Sequence, residues 1–170
     1  MVSGDGGRPG GIRGGRPRLL GPRRIDPAPA LQAPKKAAPS KKRVLFVCLG
    51  NSCRSQMAEA FARAYGSDVL EARSAGVSPS TIIQPLTKQV LAERNLRIDD
   101  HFPKGMEISR EEPFDLVVNM SGFPVTVPGA RVVAWPVRDP IGEEETVYRA
   151  VAGQIEGLVM QLILELRKAS

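Results

Sequence analysis

The chemistry-bearing residues of this chain are a thiol, Cys48, and a guanidinium, Arg54, flanking the five residues Leu49, Gly50, Asn51, Ser52 and Cys53. Such a small, polar segment between a strand and a helix aims consecutive backbone N–H groups at one point. The positive end of the helix lies behind them, so the segment should bind an anion. A thiol facing amides, a helix N-terminus and a guanidinium is favoured as its thiolate. The planar fork of Arg54 suits two oxygens of a phosphate-like group. A sulfur nucleophile beneath a bound tetrahedral oxyanion is the arrangement for phosphoryl transfer onto sulfur.

The elements that must position this loop follow from the pattern of apolar residues. Residues 44–47 are a continuous apolar run rich in β-branched and aromatic types, which predicts a buried strand. Residues 56–65 predict a helix stopped at Gly66. Residues 69–74 predict a second strand ended by Ala75 and Gly76, and residues 81–85 a loop. Residues 86–94 predict a helix with Leu86, Val90 and Leu91 on one face and Asn95 as a left-handed stop. Residues 114–120 and 130–135 predict two more strands with a loop at 121–125 between them, each bounded by Pro or Gly. Glu143, Glu144 and Glu145 suit the positive start of a last helix, and Arg167 and Lys168 suit its end. Val147, Val151, Ile155, Leu158, Leu162 and Leu166 recur along it at helical spacing and read as core packing. Alternating strands and helices predict an α/β fold: a single three-layer domain, an open parallel sheet of about four strands with helices on both faces. The anion site would lie at the carboxyl ends of the strands.

The chain has 170 residues, enough for one domain with a core. Its two cysteines and one histidine cannot form a tetrahedral metal site without carboxylates, and no metal or cofactor spacing is visible. Both cysteines sit in one loop rather than as staples, which predicts a reducing, cytoplasmic setting. No apolar run approaches the roughly 20 residues of a membrane helix, and no apolar signal core precedes the domain. The formal charge of +6 is unevenly placed. Residues 1–43 hold eleven Lys and Arg against Asp5 and Asp26, whereas the remaining thirteen face sixteen Asp and Glu. The first forty residues contain eight Gly and seven Pro, so residues 1–42 are expected to be a disordered basic tail before a domain at 43–170. Without interleaved aromatics for base stacking, the tail reads as a solvated extension, or an upstream start, rather than an arm for nucleic acid or anionic lipid.

The pattern Cys48-x-Gly50-Asn51-x-x-Arg54-Ser55 resembles the signature loop of the low-molecular-weight protein tyrosine phosphatases and of the arsenate reductases that share their fold. The resemblance runs from about Arg43 to the C-terminus. It implies that Cys48 is the nucleophile, that residues 49–55 bind phosphate, and that Ser55 donates to the departing thiolate. It further implies that Asp139, followed by Pro140, is the general acid. An alkoxide or phenolate leaves poorly, and a positioned carboxyl proton lowers that barrier by roughly a factor of 10² to 10⁴. Pro140 restricts Asp139 to extended geometry. By the same resemblance Ser74 helps hold the anion loop, His101 supports Asn51, and Cys53 is the partner of Cys48 in a reversible disulfide. For Ser74 a strand-end turn residue, for His101 a locally bonded surface residue, and for Cys53 a small buried residue are the plainer alternatives.

Three functions are open at this point. The first is hydrolysis of a phosphorylated protein or small phosphomonoester through a cysteinyl-phosphate. Phosphotyrosine-selective members carry aromatics after Asp-Pro, where this chain has Ile141 and Gly142. The second is arsenate reduction. Arsenate reductases of this fold place two further cysteines between the third and fourth strands and this chain has none there, so a reducing thiol system outside the chain, or Cys53, would have to serve. The third is an inactive oxyanion-binding module.

Overall fold

The site-bearing strand β1 (Lys42–Cys48) is followed by α1 (Arg54–Tyr65), and the two are separated by only five residues. This computed structural model describes residues 1–7, 10–11, 14–15, 21 and 40–170. The chain divides into Met1–Lys36 and Ala37–Ser170, and the fold described below is that of the second unit. The tail expected over residues 1–42 lies largely outside the described residues.

After α1 come β2 (Leu70–Gly76), α2 (Pro85–Ala92), a short α3 (Ile108–Glu111), β3 (Leu116–Asn119), β4 (Arg131–Ala134) and α4 (Glu145–Ala169). The sheet is four-stranded and wholly parallel in the order β2-β1-β3-β4. β1 is therefore central, and its residues 44–47 are fully buried, as a continuous apolar run requires. The period of two divides them. Val44 and Phe46 face the larger core with α1, α2 and α4, whereas Leu45 and Val47 face a smaller one with Ala75, Phe114, Val117 and Val127. That second face is covered by α3, through Ile108, and by loop residues rather than by a long helix.

Several elements depart from the sequence expectation by a turn or less. β2 extends through Ala75 and Gly76, because these two pair with Val47 and Cys48. α1 begins at Arg54 rather than at residue 56, which puts Arg54 and Ser55 in its first turn. The inward face of α4 is Tyr148, Val151, Ala152, Ile155, Val159 and Ile163. Val147, Leu158, Leu162 and Leu166 only flank it. Over 25 residues a helix of 3.6 residues per turn slides past any fixed row, so two adjacent apolar rows compete and packing selects one. Asn95 does adopt the left-handed conformation, with φ of 59°. No helix among the described residues is long and apolar enough to cross a membrane.

Candidate active site

The loop between β1 and α1 is turned inside out with respect to its peptide groups. Every carbonyl from residue 48 to residue 53 is claimed by a donor outside or behind the loop. Val77, Ser78 and Ser80 donate backbone N–H groups to the carbonyls of Cys48, Leu49 and Gly50 at 3.0, 2.8 and 2.9 Å. Gln84 N–H and the Thr87 hydroxyl both reach Ser52 O, at 3.1 and 2.9 Å. Gln56 Nε2 donates to Asn51 O at 3.1 Å, and Met57 N–H to Cys53 O at 3.0 Å. With the oxygens held outward, the N–H groups of Gly50, Asn51, Ser52 and Cys53 find no acceptor among the described residues. They are left as a ring of donors in front of the α1 N-terminus, which has no side-chain cap and no acidic residue in its first turn. Asn51 closes the ring by adopting φ of 51°, a conformation Asn tolerates better than most side chains. Gly76 allows the loop to lie directly on the end of β2. A Cβ there would stand 2.8 Å from Asn51 N, Gly50 C and Leu49 O.

Cys48 lies at the start of this ring and is buried, with its Sγ 2.9 Å from the Ser55 hydroxyl oxygen. Asn51 Nδ2 donates to that same oxygen at 2.7 Å, so the Ser55 proton is free to point at sulfur. The orientation of the Asn51 amide is fixed by Lys104 N–H, which donates to Oδ1 at 2.8 Å.

Arg54 is nearly buried. Its Nη1 donates to Met120 O and to Val137 O, the latter at 3.0 Å, tying the helix start to the carboxyl ends of β3 and β4. Its Nη2 lies 3.3 Å from Asp139 Oδ2. Its Nε is buried without any partner among the described residues. A buried charged donor with no acceptor is costly, and an oxyanion oxygen in the loop would satisfy it. Asp139 keeps about a third of its side chain exposed, and Ile141 N–H donates to its Oδ1 at 3.1 Å. The exposed Ile141 occupies the position after Asp-Pro. Cys48, Arg54, Ser55 and Asp139, contributed by β1, α1 and the segment after β4, thus converge on one site.

The remaining sequence-predicted residues form a layer behind the loop. Ser74 donates to Glu59 Oε2 at 2.7 Å and makes no hydrogen bond to the loop itself. His101 Nδ1 is 2.9 Å from Gln56 Oε1 and 3.6 Å from Glu59 Oε2, so Gln56 stands between His101 and Asn51. Burial lowers the His101 imidazole from its ordinary value, with Glu59 opposing. Cys53 Sγ lies 3.7 Å from the Tyr148 hydroxyl and 3.8 Å from that of Ser52. Burial pushes the Cys53 thiol up, and hydrogen bonds from Thr87, Tyr148 and Ser52 oppose this. No site role followed from the sequence for Gln56, Glu59, Gly76 or Tyr148. Glu59 and Gln56 occupy helix positions where polar residues are ordinarily solvated, and only the three-dimensional packing shows both to be buried.

The family model described as low molecular weight phosphotyrosine protein phosphatase matches residues 43–170. The glutaredoxin arsenate reductase of a Synechocystis species is 32% identical over 130 residues, which are 74% of this chain and 98% of that protein. Two solved structures align at similar levels. A low molecular weight protein tyrosine phosphatase from T. tengcongensis is 31% identical, with a TM-score of 0.63 over 74% of this chain and 99% of its own. An arginine phosphatase from Geobacillus stearothermophilus is 26% identical, with a TM-score of 0.66 over 75% and 94%.

Proposed function

This chain belongs to the low molecular weight phosphotyrosine protein phosphatase family, and on that premise we propose that it hydrolyses phosphomonoesters through a cysteinyl-phosphate at Cys48. The observation that carries this reading is the Asp139 carboxyl group held 3.3 Å from Arg54, at the site where Cys48 and Ser55 also meet. A carboxyl group beside the oxyanion clamp is placed to give an ester's leaving oxygen the proton it needs as the P–O bond breaks.

In the first step the Cys48 thiolate attacks phosphorus. The loop N–H groups and the Arg54 guanidinium hold the equatorial oxygens as charge builds on them. Asp139 gives its proton to the leaving oxygen as the P–O bond breaks, leaving a P–S bond and an alcohol or phenol. In the second step the Asp139 carboxylate takes a proton from water as that water attacks phosphorus. The P–S bond breaks, inorganic phosphate departs, and the Ser55 hydroxyl donates to the released thiolate. The chemistry calls for a reduced thiol, consistent with a cytoplasmic setting.

Arsenate reduction is the second reading, favoured by the named relatives of which the Synechocystis protein is one. Arsenate matches phosphate in shape, and Cys48 could form the same adduct. The electrons would then have to come from a thiol. Cys53 is the only other cysteine, so the second thiol is either Cys53 or one from outside the chain, glutaredoxin-like or a small molecule. Two assays on the purified chain separate the readings. Turnover of an aryl phosphate that disappears in Cys48→Ser supports hydrolysis. Arsenite release from arsenate plus glutathione or glutaredoxin, without ester turnover, supports reduction and overturns the first.

A further inference from the structure

The side chain of Gln56 is completely buried two residues after Arg54, in the first turn of α1. Its Nε2 faces three carbonyl oxygens, Asn51 O, Asn51 Oδ1 and Phe102 O, each at 3.1 Å. Its Oε1 faces His101 Nδ1 at 2.9 Å. Three acceptors can surround only the NH₂ end of an amide, so the orientation of Gln56 is fixed by its surroundings. An oxygen that only accepts then requires His101 to carry its hydrogen on Nδ1. The same logic continues toward the nucleophile. Lys104 N–H fixes Asn51 with its Nδ2 toward Ser55, and Ser55, having accepted that bond, sends its hydrogen to Cys48. His101, Gln56, Asn51, Ser55 and Cys48 thus form a chain of hydrogen bonds with a single direction, every hydrogen pointing toward the sulfur.

We propose that Gln56 is a positioning residue of the oxyanion site. It grips both the main chain and the side chain of Asn51, holds that residue at its left-handed φ, and joins the loop to His101. The inference rests on reading residues 48–55 as the oxyanion site. Gln56 touches no substrate. Its effect is exerted through Asn51, whose backbone N–H is one of the ring and whose side chain orients Ser55. Without Gln56, Asn51 O loses its only donor among the described residues, and Asn51 is free to leave a conformation most residues avoid.

Two variants test this. Gln56→Met keeps length and bulk without any hydrogen bond. Gln56→Glu keeps the acceptor for His101, but as an anion it turns an oxygen toward three other oxygens. Only its protonated form restores a donor there. Burial and those facing oxygens favour the protonated form. Glu59, Asp100, Arg63 and Lys104 also border His101, so the wild type at each pH is the reference. The readouts are aryl phosphate turnover and the protection of Cys48 from iodoacetamide by inorganic phosphate, read on the full chain by fragment mass spectrometry. Gln56→Met should need roughly ten times more phosphate for half protection and lose a similar factor in kcat/KM, with an unchanged circular dichroism spectrum. Gln56→Glu should be equally impaired at pH 8 and recover relative to wild type as the pH is lowered to 6. Loss of fold in Gln56→Met passes the decision to Gln56→Glu. Wild-type phosphate protection in Gln56→Met, or a pH profile of Gln56→Glu parallel to that of wild type, overturns the proposal. Phosphate protection without turnover in the wild type would instead sink the hydrolytic reading and still test Gln56.

Discussion

Replacing Gly76 by alanine should damage the site more than it damages the fold. A Cβ at this position meets Asn51 N, Gly50 C and Leu49 O, all at 2.8 Å. All three are backbone atoms of the anion loop, so no side chain can swing aside. Ordinary contact begins at 3.4 Å, so the loop must retreat by about 0.6 Å from β2. Overpacking of this kind costs about 1–3 kcal/mol, a fall in Tm of roughly 4–10 °C for a domain of this size. A displacement of about 1 Å in a catalytic array can cost roughly 10² in rate, so kcat/KM should fall at least about tenfold. The two effects are separable. Gly157 lies within α4 with nothing among the described residues within 4 Å of an added Cβ, so Gly157→Ala should return about 0.5–1 kcal/mol by its helix preference alone. Thermal unfolding and steady-state turnover of the single and double variants provide the assay. The double variant should regain part of the lost Tm and none of the lost rate. Full activity in Gly76→Ala, or activity recovering in step with Tm in the double variant, would refute the claim that Gly76 places the loop.

Stability should also depend on pH through His101. Burial lowers its folded-state value below the 6.5 of the free side chain, so between the two the unfolded chain binds more protons. Its contribution is therefore fully present above pH 6.5 and lost as the pH falls through the folded value. The Tm of wild type should fall between pH 7.5 and 5 more steeply than that of His101→Gln, and equal slopes would contradict the assignment. Peroxide should oxidise the Cys48 thiolate to a sulfenic acid, and attack by the Cys53 sulfur would expel water to form a disulfide. Inactivation should then be reversed by dithiothreitol in wild type and become irreversible in Cys53→Ala. Reversal in both would leave Cys53 as packing under Tyr148.

The sequence was most informative where a local pattern and a chemical need coincide. The apolar run 44–47, the small residues after it and the helix behind them define the loop, because strand, turn and helix preferences are short-range. Cys48, Arg54 and Ser55 could be placed together for the same reason. Asp139 was reached only through resemblance, since 85 residues separate it from Arg54 and the fold alone joins them. The layer behind the loop was hardest to read. A glutamine and a glutamate on a helix ordinarily face water, and nothing local marks Gln56 and Glu59 as buried. His101 was tied to Asn51 by resemblance, but the amide that links them is visible only in three dimensions. The stripe of α4 slipped because its two apolar rows are equally periodic, and only the position of β1 and α1 chooses between them.

The central claim, that Cys48 carries the phosphoryl group, is tested most directly by trapping the intermediate. Asp139→Asn cannot take the proton from the attacking water, so the second step should slow more than loading by an activated aryl phosphate. Rapid acid quench followed by fragment mass spectrometry should then find one phosphoryl group on the sulfur of Cys48, absent in Cys48→Ser. Phosphate found on another residue, or none found while the ester is still being turned over, would contradict the account.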